Sequence, residues 1–227
     1  MSLKLTWYGH AAFGLETAGK SILVDPFLTD NPAAAIRAED VNPDYILISH
    51  GHSDHVGDAV AIAKRSGALV ISNFEIANWF EAQGIATHGQ HLGGGYNYPF
   101  GYLKLTLALH GSALPDGSYG GNPAGFLLTT LDGEKLYLAG DTGLFGDMSL
   151  IGDEGLDLAA LPIGDNFTMG PDDALRAVKL LRPKTVIPVH YSTFEVIEQD
   201  ARSWARRVEA ETDTQVRVIK PGESVEI

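Results

Sequence analysis

The chain has 227 residues, with 16 Lys and Arg against 29 Asp and Glu, and therefore a formal net charge of −13. It contains eight His and no Cys, which excludes disulfides, thiolate nucleophiles and metal sites built on Cys. The acidic balance argues against nucleic acid as a partner, and no apolar run reaches the ~18 residues that a membrane span needs. Because the N-terminal residues also lack the pattern of a secretory leader, we expect a cytoplasmic protein.

Short runs rich in Val, Ile and Leu, bounded by Gly, Pro or Asp, predict strands. In chain order they are residues 3–9, 12–17, 21–27, 45–49, 68–72, 102–109, 125–131, 135–139, 156–162, 185–189, 215–219 and 224–227. Helical periodicity predicts helices at residues 56–66, 75–83, 171–181 and 197–212. Residues 88–101 and 111–123 are rich in Gly, Tyr and Asn and are expected to be loops. This order favours one α/β domain over residues 1–227, with two packed sheets and helices outside.

The segment from His50 to His55 concentrates ligand-type side chains between a predicted strand and a predicted helix. It reads His-Gly-His-Ser-Asp-His, so three imidazoles and one carboxylate occupy six positions. Imidazole nitrogen and carboxylate oxygen are ligands for Zn²⁺ and similar ions. A tight turn after a strand can direct several of these side chains into one cavity. The segment therefore predicts a metal site.

Three further ligand-type residues each lie just beyond a predicted buried strand. They are His110, Asp141 and His190. Functional side chains commonly follow the carboxyl ends of strands in sheet-based sites. The segment at residues 50–55 alone offers enough side chains for one closed site, so these additional residues indicate a larger centre.

The pattern His-x-His-x-Asp-His, followed by a distant His, Asp and His, resembles the signature of the metallo-β-lactamase superfamily. Within it, the chain resembles the small UPF0173-type and ascorbate-phosphate-lactonase-like metal-dependent hydrolases. The supporting motifs are Tyr8-Gly9-His10, Asp25-Pro26-Phe27, Gly140-Asp141-Thr142-Gly143 and residues 162–170 and 188–194. One departure is Gly111 after His110, where related chains often have Ser, which leaves open any substrate contact made by that hydroxyl.

The resemblance implies an α/β fold, a four-layer αββα sandwich, with two divalent ions at one edge of the sheets. His50, His52 and His110 would hold one ion, Asp54, His55 and His190 the second, and Asp141 would bridge them. Zn²⁺ is the first expectation, with Mn²⁺, Ni²⁺ or Fe as alternatives for such ligands. Two cations generate a nucleophile from water near neutral pH and polarise the bond to be cleaved. Superfamily members with redox chemistry at two irons can carry Glu at position 52, so His52 favours hydrolysis.

Several other residues are expected to act beside the ions. Asp54 is expected to orient the nucleophile and carry its proton, and His10 to be a catalytic or substrate-contacting residue. Asp25 is expected to orient a ligand His. The expected substrate-binding residues are Thr168, Tyr191 and Ser192. His88 and His91 lie in a Gly-rich segment and are interpreted as non-ligands.

The leading hypothesis is a dinuclear hydrolase that cleaves a small ester, lactone or phosphodiester. One alternative is a nuclease or cyclic-nucleotide phosphodiesterase with the same site. A second is a metal-dependent sensor with little turnover, and an oxygenase is a weaker third. Two divalent ions would add positive charge to the pocket, so a small anionic substrate is expected, without nucleic acid or membrane. A homo-oligomer is expected from the resemblance alone.

Overall fold

A computed structural model describes residues 3–227. The strands in this range are β1 (Lys4–Gly9), β2 (Ala12–Thr17), β3 (Lys20–Val24), β4 (Tyr45–Leu47), β5 (Leu69–Asn73), β6 (Thr87–Gln90), β7 (Gly95–Tyr98), β8 (Gly101–Leu107), β9 (Ala124–Thr129), β10 (Lys135–Leu138), β11 (Leu158–Pro162), β12 (Thr185–Val189), β13 (Gln215–Val216) and β14 (Ser224–Glu226). The α-helices are α1 (Ser53–Val56), α2 (Ala59–Ser66), α3 (Phe74–Glu81), α4 (Met148–Gly152), α5 (Pro171–Leu181) and α6 (Ala201–Glu211). Two short 3₁₀ turns lie at Ala38–Asp40 and Glu195–Ile197. None of the helices within residues 3–227 has both the length and the apolar character needed to cross a bilayer.

The strands form two mixed sheets of seven strands each. The first has the order β14-β1-β2-β3-β4-β5-β6, and the second has the order β13-β12-β11-β10-β9-β8-β7. In the first sheet β1 to β3 are antiparallel, whereas β3 to β6 run parallel. In the second sheet β7 to β10 are antiparallel, whereas β10 to β13 run parallel.

Side chains alternate between the two faces of each sheet, as the pleat requires. In β10, Leu136 and Leu138 belong to the apolar core between the sheets, whereas Tyr137 belongs to the core beneath the helices. Leu47 likewise faces the other sheet, and Ile46 belongs to a third core against α2 and α3. The three apolar layers confirm the predicted αββα sandwich.

Helix α5 shows how the sequence sets the outer layer. Pro171 occupies its first turn together with Asp172 and Asp173, where a missing N–H is tolerated and negative charge meets the positive end of the helix dipole. Its inner face includes Leu181, which is fully buried. A buried Leu contributes about 1.5–3 kcal/mol through the area it removes from water. The predicted bounds of this helix are confirmed.

The helix predicted at residues 56–66 is wrong in one respect, because the structure contains two helices there. Gly57 separates α1 from α2 and has φ 39° and ψ −121°, a conformation outside the helical region. A Cβ at Gly57 would overlap the carbonyl oxygen of Pro26. The carboxylate of Asp58 then accepts hydrogen bonds from Leu28 N and Thr29 N at 3.0 and 2.8 Å. The break thus fixes the segment after β3 against the start of α2.

The predicted loop at residues 88–101 is also wrong, because it contains most of β6 and all of β7. Each of these strands forms one edge of its sheet. Their sequences, Thr-His-Gly-Gln and Gly-Tyr-Asn-Tyr, lack the apolar alternation that signals a half-buried strand. The hydroxyl of Tyr98 donates to Gln90 Oε1 at 3.0 Å, so tertiary contacts stabilise what the local sequence does not specify.

The C-terminal and connecting elements differ from prediction as well. The helix predicted from residue 197 begins at Ala201, because Asp200 accepts a hydrogen bond from Ser203 N at 2.9 Å and caps it. The strand predicted at residues 215–219 ends at Val216. Helix α4, at five residues, was not predicted.

Candidate metal centre

The ligand-type residues meet at one edge of the sandwich because their strands run in the same direction. In the first sheet β1 is parallel to β3 and β4, since each of the pairs β1–β2 and β2–β3 is antiparallel. In the second sheet β8 is parallel to β10 and β12 for the same reason. Carboxyl ends of parallel strands share an edge. The residues that follow them are His10, Asp25, His50, His110, Asp141 and His190.

One group consists of His50, His52 and His110, whose ring nitrogens lie within 4.8 Å of one another. His52 Nδ1 is 3.0 Å from His50 Nε2 and 3.2 Å from His110 Nε2. Ligand atoms 2.0–2.1 Å from a tetrahedral Zn²⁺ lie about 3.3 Å apart, so these spacings are those of atoms around one ion. Burial holds the pKa of His50 well below its usual range, which keeps the imidazole neutral.

A second group consists of His10, Asp54, His55 and His190, which also offer ligand atoms within 4.8 Å of one another. Asp54 Oδ2 is 3.2 Å from His10 Nε2 and 4.0 Å from His55 Nε2. The rings of His10 and His190 have centroids 3.9 Å apart. Burial lowers the pKa of His10 to about 4, more than its hydrogen bond to Asp54 raises it.

Asp141 lies between the two groups and is almost completely buried. Its Oδ1 is 3.3 Å from His55 Nε2, and its Oδ2 is 3.1 Å from His190 Nε2 and 3.5 Å from His110 Nε2. Burial alone would raise the pKa of Asp141, but the imidazoles of His190 and His55 hold it well below its usual range. The carboxylate is therefore ionised and touches both groups.

The buried polar atoms at this centre fit metal ligands, because several have no hydrogen-bond partner. They are His55 Nε2, Asp141 Oδ1, His190 Nδ1 and His190 Nε2. Asp141 therefore lies close to the imidazoles of His55 and His190 without forming well-aligned hydrogen bonds to them. An unsatisfied buried polar group costs about 1–3 kcal/mol, and a cation on these lone pairs removes that cost. The donor set of imidazole and carboxylate suits Zn²⁺ and related divalent ions.

Asp25 and Ser49 hold two of the imidazoles in place from behind. Asp25 Oδ2 accepts from His55 Nδ1 at 2.8 Å and from Ser49 Oγ at 2.6 Å. Ser49 Oγ in turn lies 3.0 Å from His50 Nδ1. With Nδ1 engaged, each ring presents Nε2 to the centre, which is the usual arrangement behind metal-binding His residues. Asp25 thus lies where the sequence places it, whereas Ser49 was missed because a single Ser at a strand end carries no distinctive signal.

Three residues of the centre have left-handed backbone conformations that non-Gly residues rarely adopt. The φ angles are 55° for His10, 43° for Asp25 and 52° for His190. His190 N donates to His10 O at 3.1 Å, so two of these strained positions support each other across the sheets. Such strain costs about 1 kcal/mol or more per residue and concentrates at functional sites.

The predicted substrate-binding residues do not all face this centre. Tyr191 stacks on Trp7, with ring centroids 5.9 Å apart, and packs against the apolar cores. Ser192 Oγ accepts from Gln199 N at 3.1 Å. Thr168 is nearer, because Met169 N donates to Thr142 O at 2.9 Å and brings its loop beside Asp141. Their contact with substrate stays a prediction.

His88 and His91, interpreted as non-ligands, pack against aromatic rings away from the two groups. His88 lies with its ring centroid 4.4 Å from that of Tyr96, and His91 lies 5.8 Å from Phe74.

Comparison with known proteins extends the similarity to the whole chain. Residues 4–190 match the family model described as Beta-lactamase superfamily domain. Proteins of Pelotomaculum thermopropionicum and Desulforamulus reducens, each described as a UPF0173 metal-dependent hydrolase, are 53% and 51% identical, over 99% of this chain and 100% of each relative. Igni18, described as a novel metallo hydrolase from the archaeon Ignicoccus hospitalis, has a TM-score of 0.91 and 38% identity, over 100% of this chain and 99% of its own.

Proposed function

The chain belongs to the beta-lactamase superfamily and is a metal-dependent hydrolase of the UPF0173 group, and from that premise we propose that it cleaves a small ester or lactone with a dinuclear centre. The observation that carries this proposal is Asp141, an ionised buried carboxylate within 3.5 Å of imidazoles from both ligand groups. One ion would be held by His50, His52 and His110, and a second by Asp54, His55 and His190. Asp141 would contact both ions. Zn²⁺ is the proposed ion, since imidazole and carboxylate are its common ligands in catalytic sites.

Two divalent ions held there would supply a nucleophile from water at neutral pH and would polarise the carbonyl group. The protein side chains then have separate tasks. Asp54 is partly exposed, so its carboxylate can accept a hydrogen bond from the attacking water and orient it. His10 Nε2, 3.2 Å from that oxygen, holds the carboxylate in position. His10 Nδ1 is held by Thr193 Oγ1 at 2.9 Å, so the ring cannot turn away.

The alternative of a nuclease or phosphodiesterase receives less support from the surroundings of the centre. Proteins that bind nucleic acid clamp phosphates with Lys and Arg. Neither residue occurs in the segments that follow the strands leading to the predicted ligands, which are residues 48–58, 108–123, 139–147 and 190–200. A sensor without turnover is disfavoured by the partly exposed Asp54, which leaves a carboxylate accessible beside the ions.

A substrate panel tests the proposal. Metal-loaded protein is assayed on neutral esters, lactones, thioesters and a phosphodiester, each with and without a chelator. We expect ester or lactone hydrolysis that the chelator removes and added metal restores. Asp141→Asn keeps the size of the side chain but removes its charge, so turnover should fall at least about a hundredfold. Asp213→Asn, at an exposed position, is the control. Chelator-resistant turnover, or full activity of Asp141→Asn, would contradict the proposal.

A further inference from the structure

The loops that carry or adjoin the metal-ligand residues contain Asp and Glu but neither Lys nor Arg. These loops are residues 9–12, 25–36, 48–58, 108–123, 139–147, 163–170 and 190–200. The first basic residue after the second loop, Arg37, is paired with Asp40 at 2.8 Å and Glu39 at 3.1 Å and is largely exposed. Bound ions would therefore have no Lys or Arg of these loops beside them. A substrate with a negatively charged group away from the bond to be cleaved would be repelled by the carboxylates of these loops. It would find no Lys or Arg of the loops as a partner.

The same loops expose large apolar side chains. Leu109 is 49% exposed and Phe194 is 41% exposed, and Phe167 and Val196 are also exposed. Ligand pockets are typically lined by apolar and aromatic groups around a few polar ones. Loops that carry both exposed apolar side chains and the predicted metal ligands have that composition.

Phe194 lies directly beside the second ligand group. Its ring centroid is 5.7 Å from that of His10, with the rings inclined at 67°. The preceding residue, Thr193, is the one that holds His10 Nδ1. The same loop is strained at Ser192, which has φ 54°, a conformation that the surrounding structure must stabilise.

Leu109 lies beside the first ligand group, immediately before His110. Its N–H donates to Thr142 Oγ1 at 2.9 Å, and its carbonyl accepts from Gly143 N at 3.0 Å. These bonds tie Leu109 to the loop that begins with Asp141. The Phe194 ring thus contacts the second ligand group, and the exposed Leu109 lies one residue before a ligand of the first.

We infer that the substrate is an uncharged ester or lactone whose apolar group packs against Phe194 and Leu109, which makes these two residues specificity determinants. This inference rests on the proposed function and narrows its substrate class. It replaces the expectation of an anionic substrate, which rested on the charge of the ions alone.

The experiment compares 4-nitrophenyl acetate, butanoate and hexanoate with 4-nitrophenyl succinate, whose acyl group matches butanoate in length but ends in a carboxylate. The zinc-loaded protein is used throughout. Burial of added CH₂ groups should raise kcat/KM about tenfold from acetate to hexanoate. Butanoate should be hydrolysed at least about threefold better than the succinate ester, because the acidic loops disfavour the free carboxylate of the latter.

Variants then test which side chains produce the preference for longer acyl groups. Phe194→Ala should lower kcat/KM for hexanoate about tenfold, while acetate changes less than about threefold. Phe194→Leu keeps an apolar surface and should restore most of the preference. Leu109→Ala should act like Phe194→Ala. The matched controls are Phe74→Ala and Leu131→Ala, because both wild-type side chains are exposed, at 49% and 66%. The ring of Phe74 packs on His91, and Leu131 lies shortly after β9. Both controls should keep the wild-type preference.

Three results would overturn the inference. They are equal kcat/KM along the neutral series, preference for the succinate ester, or an equal loss on acetate and hexanoate in Phe194→Ala with unchanged metal content. Failure of the proposed function looks different: the loaded protein would hydrolyse no ester or lactone of the panel, and both proposals would then be wrong.

Discussion

Asp25 supports the centre from behind, since its carboxylate receives three hydrogen bonds there. His55 Nδ1, Ser49 Oγ and Ser49 N all donate to its carboxylate, at 2.8, 2.6 and 2.8 Å. Burial disfavours a charge on His55, but Asp141 and Asp25 together raise its pKa above the usual range. These carboxylates thus favour positive charge at this position, as a bound cation would provide.

Asp25→Asn tests this role without demanding a new backbone conformation, because Asn tolerates a positive φ. Loss of the charge behind His55 should weaken metal affinity about 10–100-fold, the range found for such supporting residues. Competition with a chromogenic chelator measures the affinity, and Asp213→Asn serves as the surface control. An affinity within about twofold of wild type would show that Asp25 supports the fold and not the ligand.

Residue types at the centre were predictable, but their supports were not. His50, His110, Asp141 and His190 each follow an apolar strand, and that pattern is visible in the sequence. His10 and His190 have φ values near 50° and are joined by a hydrogen bond between the two sheets, so no local sequence pattern predicts these conformations. Ser49 and Thr193 act only through partners distant in sequence, Asp25 and His10.

At the level of elements, the residues between α1 and α2 contact the loop after β3 and so anchor the segment at residues 50–55. Gly57 allows the backbone to approach Pro26 closely, and Asp58 then binds that loop through two N–H groups. The helical periodicity of residues 56–66 continues across the break, so sequence predicts one helix. What interrupts it is a contact with a segment some thirty residues earlier.

Gly57→Ala should therefore destabilise the protein by about 3 kcal/mol, since backbone strain and steric overlap add. Gly67→Ala is the matched control: Gly67 has φ 73°, and a Cβ there meets nothing within 4 Å. Strain alone should cost it about 1–2 kcal/mol. Urea unfolding of both variants at the same metal concentration gives the difference. Equal losses would mean that the close approach to Pro26 contributes nothing.

At the level of the whole molecule, two sheets contribute to one centre. The first sheet supplies His10, Asp25 and the segment at residues 50–55, and the second supplies His110, Asp141 and His190. Each ligand group contains residues of both sheets, so packing of the sheets is what completes each group. The apolar strand sequences were enough to predict this architecture, whereas the edge strands β6 and β7 were not visible because Gly, Tyr and Asn give no alternation.

The dinuclear centre is the central claim, and a metal titration tests it most directly. Chelator-stripped protein is titrated with Zn²⁺ while bound metal and hydrolysis of a neutral 4-nitrophenyl ester are followed together. If both ligand groups and Asp141 are needed, as proposed, activity should rise to a plateau at two bound ions per chain. A plateau at one bound ion per chain, or two bound ions without ester hydrolysis, would contradict the account.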